Sequence, residues 1–160
     1  MREIIFRGKI LDPFDKLNGE WIYGSLSSYP SKDTTVYTIS QPAIECYGTR
    51  EIPTTIAKRV DPETIGEFTG MTDIHGNKIF EGDIVWTQPV FDRPYSKNRK
   101  GEPLLGVVKY VTSQFSSSPQ IYAANWIVDI KDWKGKSCYA WTLFWNCEVV
   151  GNIYDNPDLI

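Results

Sequence analysis

The sequence predicts a mainly β protein with little helix, and three observations carry that prediction. Aromatic residues make up 14% of the 160 residues, with 6 Trp and 9 Tyr, and large flat side chains together with β-branched ones favour half-buried strands. Short apolar runs of strand length recur along the chain, each bounded by Gly, Pro, Asn, Asp, Ser or Lys. The 3.6-residue period of an amphipathic helix is missing almost everywhere.

Taken in order, Ile4 to Leu11 and Trp21 to Leu26 are strand candidates joined by the turn-forming stretch Asp12 to Glu20, which predicts an antiparallel hairpin. Ile4, Phe6 and Gly8 fall on one face of the first arm, and Ile5, Arg7 and Lys9 on the other. A Ser-rich bend is expected at Leu26 to Ser31, a strand at Thr34 to Ile39 and another at Ala43 to Tyr47. Asp61, Pro62, Glu63 and Gly66 supply a cap, a first helical residue, an acidic first turn and a stop, so one helical turn is predicted there. Gly66 to Met71 and Lys78 to Val85 should lie together across the turn Asp73 to Asn77, whose Gly and Asn suit positive φ. Thr87 to Pro103 is polar, holds three Pro and is longer than most connections, which predicts an exposed loop or insertion. Leu105 to Val111, Asn125 to Ile130, Cys138 to Phe144 and Cys147 to Ile153 complete a rhythm that suits a small barrel. The expected division is a hairpin-rich subdomain over residues 1–60 and a barrel over residues 61–160, with the long loop at 87–103.

The formal charge of −3 gives no global case for nucleic acid or an anionic membrane. The part after Val60 is the more acidic, with 9 basic against 13 acidic residues. Three widely spaced cysteines, Cys46, Cys138 and Cys147, show no zinc-ligand spacing and read as reduced thiols. No run is long enough to cross a bilayer as a helix and the first residues lack the apolar core of a signal peptide, so a cytoplasmic protein without a membrane partner is expected.

Five sets of residues are candidates for chemistry. Arg93, Lys97, Arg99 and Lys100, interleaved with Phe91 and Tyr95, form the one local cluster able to grip phosphates and stack on bases. Trp126, Trp133, Trp141 and Trp145 could present an interaction surface, and Trp141, Leu143 and Trp145 would share a face of a continuous strand. Asp73, Glu81 and Asp83 could bind a divalent cation, but their spacing matches no calcium loop, and Gly82-Asp83 reads first as strand-entry chemistry. His75 sits beside Gly76 and Asn77 in a turn that offers a general base neither partner nor shelter. Cys138 and Cys147 fall in apolar strand patterns, where a free cysteine acts as a small hydrophobe. No catalytic residue, metal ligand or cofactor is assigned.

Several segments together resemble one family. They are Arg7-Gly8, Gly19 to Gly24, Val60 to Gly70, Thr72 to Val85, Gly106 to Val108 and Glu148 to Leu159. In their order and coverage the chain resembles the YopX-like proteins encoded mainly by bacteriophages and prophages. The resemblance implies a β-rich N-terminal region followed by an SH3-like C-terminal barrel, and it implies no accepted enzymatic role. The length and basic content of Thr87 to Pro103 depart from it. The expected function is a non-catalytic binding or assembly module, with a second copy or another phage or host protein as partner. The alternatives are nucleic-acid binding through residues 91–100 and, behind it, a metal-dependent enzyme.

Overall fold

A computed structural model describes residues 3–87, 104–114, 122–131, 137–140 and 147–160. The chain is mainly β, built of antiparallel strands, and it divides into two compact units, Met1–Phe68 and Thr69–Ile160.

In the first unit, strands β1 (Phe6–Lys9), β2 (Trp21–Ser31), β3 (Thr34–Tyr47) and β4 (Arg50–Arg59) lie in the order β4-β3-β2-β1, and β1 also pairs with the first residues of β5 (Gly66–Thr72). Two-residue turns close the β2–β3 and β3–β4 hairpins, through Ser31↔Thr34 and Tyr47↔Arg50. Side chains alternate between faces along a strand, and directly opposed residues share a face. The register therefore puts Phe6, Ile22, Leu26, Tyr37 and Ile39 on one face. That face packs with Ile10 and Val60 into the core of the unit, where Ile39 and Val60 are essentially inaccessible. Each such side chain contributes about 1.5–3 kcal/mol by leaving water.

The helical turn predicted at Asp61 is present as a single 3-10 turn, Pro62–Thr64, in which the Asp61 carboxylate accepts from the Glu63 N–H at 3.0 Å. Thr64 Oγ1 accepts the Lys9 N–H at 2.8 Å, fixing the turn against β1. The Asp12–Glu20 connection is equally well ordered by its own side chains. Asp12 and Asp15 accept from the N–H groups of Phe14 and Leu17, and Asn18 accepts from Asp12 N–H. Lys58 on β4 pairs with Asp15, tying the connection to the sheet.

Two expectations for this unit need correction. Leu26 to Ser31 is not a bend but the second half of β2, because its pairing with Thr34–Ile39 outweighs the low strand preference of serine. Thr34–Ile39 and Ala43–Tyr47 are one strand of 14 residues, and its partner β4 is an additional strand beyond those expected.

In the second unit, the remainder of β5 lies beside β6 (Lys78–Phe80), and a five-stranded antiparallel sheet runs β10-β9-β8-β7-β11. Its strands are β7 (Asp83–Thr87), β8 (Leu104–Gln114), β9 (Tyr122–Lys131), β10 (Ser137–Ala140) and β11 (Cys147–Asn152). The single run expected over Lys78 to Val85 is broken at Glu81-Gly82, where Gly82 takes φ +81°, a value only glycine reaches without strain. Val85, Val108, Val128, Ile130 and Cys147 form one core with Ile79, and Trp126 packs against it. On the opposite face of the sheet Ile84, Val107 and Ile127 are also buried.

Candidate functional site

The carboxylates considered for a cation are used by the backbone. Asp73 is buried, and its Oδ1 accepts the N–H groups of His75 (2.9 Å) and Asn77 (2.8 Å), while Oδ2 accepts Asn77 Nδ2 (3.1 Å) and Val149 N–H (3.2 Å). Burial alone would raise this carboxyl. The hydrogen bonds from Asn77, Val149 and His75 outweigh it and hold the group below the ordinary carboxylate value. Asp83 Oδ2 accepts Phe80 N–H at 2.8 Å, across the Gly82 turn, and Glu81 accepts from Tyr110 N–H at 3.4 Å. Among the described residues no three His, Cys, Asp or Glu side chains converge as metal ligands do.

His75 lies in the Asp73 turn, exposed, with its Nε2 3.5 Å from Glu148 Oε1. Cys147 is buried, and desolvation together with the negative charge of Asp73 pushes its thiol up to about 11, so the nucleophilic thiolate is scarce at neutral pH. Trp126 is half-buried against the core and meets Tyr110 edge-on, with ring centroids 5.0 Å apart. Phe91, Arg93, Tyr95, Lys97, Arg99, Lys100, Trp133, Trp141 and Trp145 lie outside the described residues.

Each unit has a cavity of about 450 Å³. In the second unit it lies against Leu105, Val107 and the Lys109–Asp129 ion pair (2.6 Å) on β8 and β9, facing Leu159 and Ile160 after the C-terminal turn. In the first unit it is bounded by Ile10, Leu17, Ile22 and Ile56, with Lys16 and Glu20 among its polar lining.

The first-unit cavity opens onto a surface that sequence reasoning misses. β2 pairs with β3 only as far as Ser25↔Ser40, so Gln41–Tyr47 of β3 bonds to β4 alone among the described strands. The result is a two-stranded ribbon about 20 Å long. On it the core face of the sheet continues outward. Ile56 opposes Gln41 and Ile52 opposes Glu45, both in register with buried Ile39, yet they are 40% and 38% exposed. An isolated two-stranded ribbon is marginal in water, and exposed apolar residues continuous with a core are a candidate contact surface.

The ribbon is also guarded at its edges. In a two-residue hairpin the closing pair exchanges both hydrogen bonds, and bonded and non-bonded pairs alternate from there. Counting from Ser31↔Thr34 and Tyr47↔Arg50 puts Pro30, Pro42 and Pro53 all on non-bonded pairs, with the missing N–H pointing to the outer edge. Each lies where that edge carries no neighbouring strand among the described residues: β2 beyond β1, β3 beyond β2, and the open side of β4. Proline there blocks strand addition. We predict that Pro42→Thr/Pro53→Thr, which restores two outward donors, raises thioflavin-positive aggregation on heating. Unchanged aggregation would show that the prolines do not guard the edge.

A signal for β4 is present in the sequence. Ile52, Thr54, Ile56 and Lys58 alternate with Pro53, Thr55, Ala57 and Arg59 after the turn pair Gly48-Thr49. Pro53 obscures it, since proline demotes an interior strand while fitting an edge one.

Among the described residues no helix is long and apolar enough to cross a membrane. No curated protein matches the chain. A solved structure, protein EF1440 from Enterococcus faecalis, is similar with a TM-score of 0.47 and 17% sequence identity, covering 99% of this chain and 99% of that one. The family described as YopX protein matches residues 12–160, nearly the whole sequence. The chain belongs to the YopX family.

Proposed function

We propose that this YopX-family protein acts by binding rather than by catalysis, as an assembly module that associates with copies of itself. The observation that carries the reading is the exposed apolar face of the β3–β4 ribbon, with Ile52 and Ile56 in register with the core. Three further features agree with it. The carboxylates of Asp73 and Asp83 serve turns, the Cys147 thiol is held protonated by burial, and the edges that would promote unspecific strand pairing carry proline. A surface open on its face and closed at its edges suits specific association.

Light scattering across a concentration series tests this. The wild-type chain is expected to self-associate, and Ile52→Ser/Ile56→Ser is expected to weaken association at least about tenfold, roughly 1.4 kcal/mol. Both positions are exposed, so the melting temperature should change little. A wild-type chain that stays monomeric at every concentration would refute the proposal.

A further inference from the structure

We infer that Asn18 is a site of spontaneous modification, deamidation through the Gly19 nitrogen, and that the fold keeps it latent by closing the loop that carries it. Asn18-Gly19 is the one Asn-Gly pair in the sequence. The reaction needs only neighbouring atoms and water. The Gly19 backbone nitrogen gives up its proton to base and attacks the Asn18 side-chain carbonyl carbon. The bond from that carbon to the amide nitrogen breaks, ammonia leaves and a five-membered succinimide remains. Water then opens the ring at either carbonyl, giving aspartate or isoaspartate. A following glycine favours this step, because it has no Cβ to obstruct the ring and the widest backbone freedom.

Asn18 and Gly19 are both exposed, so water and base reach them and access does not limit the reaction. In the closed loop, however, both reacting groups are already bonded. Gly19 N–H donates to the Ile10 carbonyl at 2.8 Å, which holds the proton that must leave. Asn18 Oδ1 accepts Asp12 N–H at 2.9 Å, which fixes the amide that must turn. Ile10 and Asp12 lie just beyond β1, so attack requires the loop to part from the end of that strand. Asp15 resists the parting twice, accepting Leu17 N–H at 2.9 Å and pairing with Lys58 on β4. An amide held in this way reacts from the locally open state, and its rate follows the open fraction. Either product adds a negative charge to a loop that already holds Asp12 and Asp15. Isoaspartate also routes the main chain through the side-chain carbon and inserts one methylene. The Gly19 and Asp12 bonds then cannot both re-form in their present register, and Lys16, Leu17 and Glu20 of the same loop no longer line the first-unit cavity as they do here. Deamidation is thus a one-way step, coupled to loop opening, that alters that cavity. It holds whether or not the chain self-associates.

Peptide mapping by mass spectrometry tests this on the full chain, incubated in mildly alkaline buffer with and without urea. Residue 18 should convert readily in urea. In the native chain it should convert at least about tenfold more slowly, as an open state roughly 1.4 kcal/mol above the closed one requires. Asp15→Ala should raise the native rate several-fold and leave the rate in urea unchanged, with circular dichroism showing that the variant is folded. Should that variant unfold, Lys58→Met removes the ion pair alone and serves the same test. Equal rates in native buffer and urea would overturn the protection by the fold, and no conversion of residue 18 in urea would overturn the site. A folded variant reacting at the wild-type rate would overturn the role given to opening of the loop.

Discussion

Gly24→Ala is expected to unfold the first unit under conditions where the wild type is stable, with a loss of at least about 3 kcal/mol. At Gly24 strand β2 passes from β1 to β3, since Gly24 opposes Phe6 and the next residue opposes Ser40. A Cβ added there would sit 2.0 Å from the Ser40 carbonyl oxygen and 2.8 Å from its carbon. Those atoms are backbone inside a ladder, so no side-chain rotation relieves the overlap and the strands must part. The parting separates Leu26 and Ile39 from the core they close. Gly19→Ala is the control. That residue has φ +88° but open space around its Cβ position, so it should cost only about 1 kcal/mol from backbone strain. Equal melting curves for the two variants would show that the close approach is not what requires glycine.

Asp73→Ala is expected to destabilise the second unit by roughly 2–4 kcal/mol, because it strands several N–H groups that the carboxylate now satisfies. Three of those bonds close the turn Asp73–Asn77, and the fourth reaches Val149 on β11, 76 positions away in sequence. The turn is also held by Ile74 N–H donating to Cys147 carbonyl at 3.0 Å, so some structure survives the substitution. The depressed carboxyl fixes the sign of the pH effect. A group whose pKa is lower folded than unfolded binds fewer protons when folded. Its stabilising contribution is therefore complete above the unfolded value, about 4, and is lost as pH falls through the folded value. Urea melts of wild type and Asp73→Asn between neutral and acid pH should converge toward the acid end. Parallel curves throughout would exclude Asp73 as a source of acid sensitivity.

The parts of the fold legible in the sequence are those written in local chemistry. Asp61-Pro62-Glu63 specifies its turn through a cap and a fixed φ, and Asp73 to Asn77 specifies another through a side chain that accepts from its own backbone. Both turns stand where the sequence predicts them because every determinant lies within a few residues. Leu26 to Ser31 and Arg50 to Arg59 depart from expectation for the opposite reason. Serine and proline speak against a strand locally, and the pairing that overrides them comes from β3. The same holds for the site. The bonds of Asp73 lie mostly within its own turn, whereas the exposed face of the β3–β4 ribbon follows from a pairing that no local stretch of sequence records.

By itself, then, the sequence determined a mainly β chain of the YopX family, its tight turns and, among the described residues, its lack of long helices. Only the tertiary structure decided that three prolines guard open edges and that Ile52 and Ile56 extend a core face into solvent. The physical reason is that a turn is a property of adjacent residues. Whether an isoleucine is buried or open to solvent depends on which strand lies across from it and where that pairing stops.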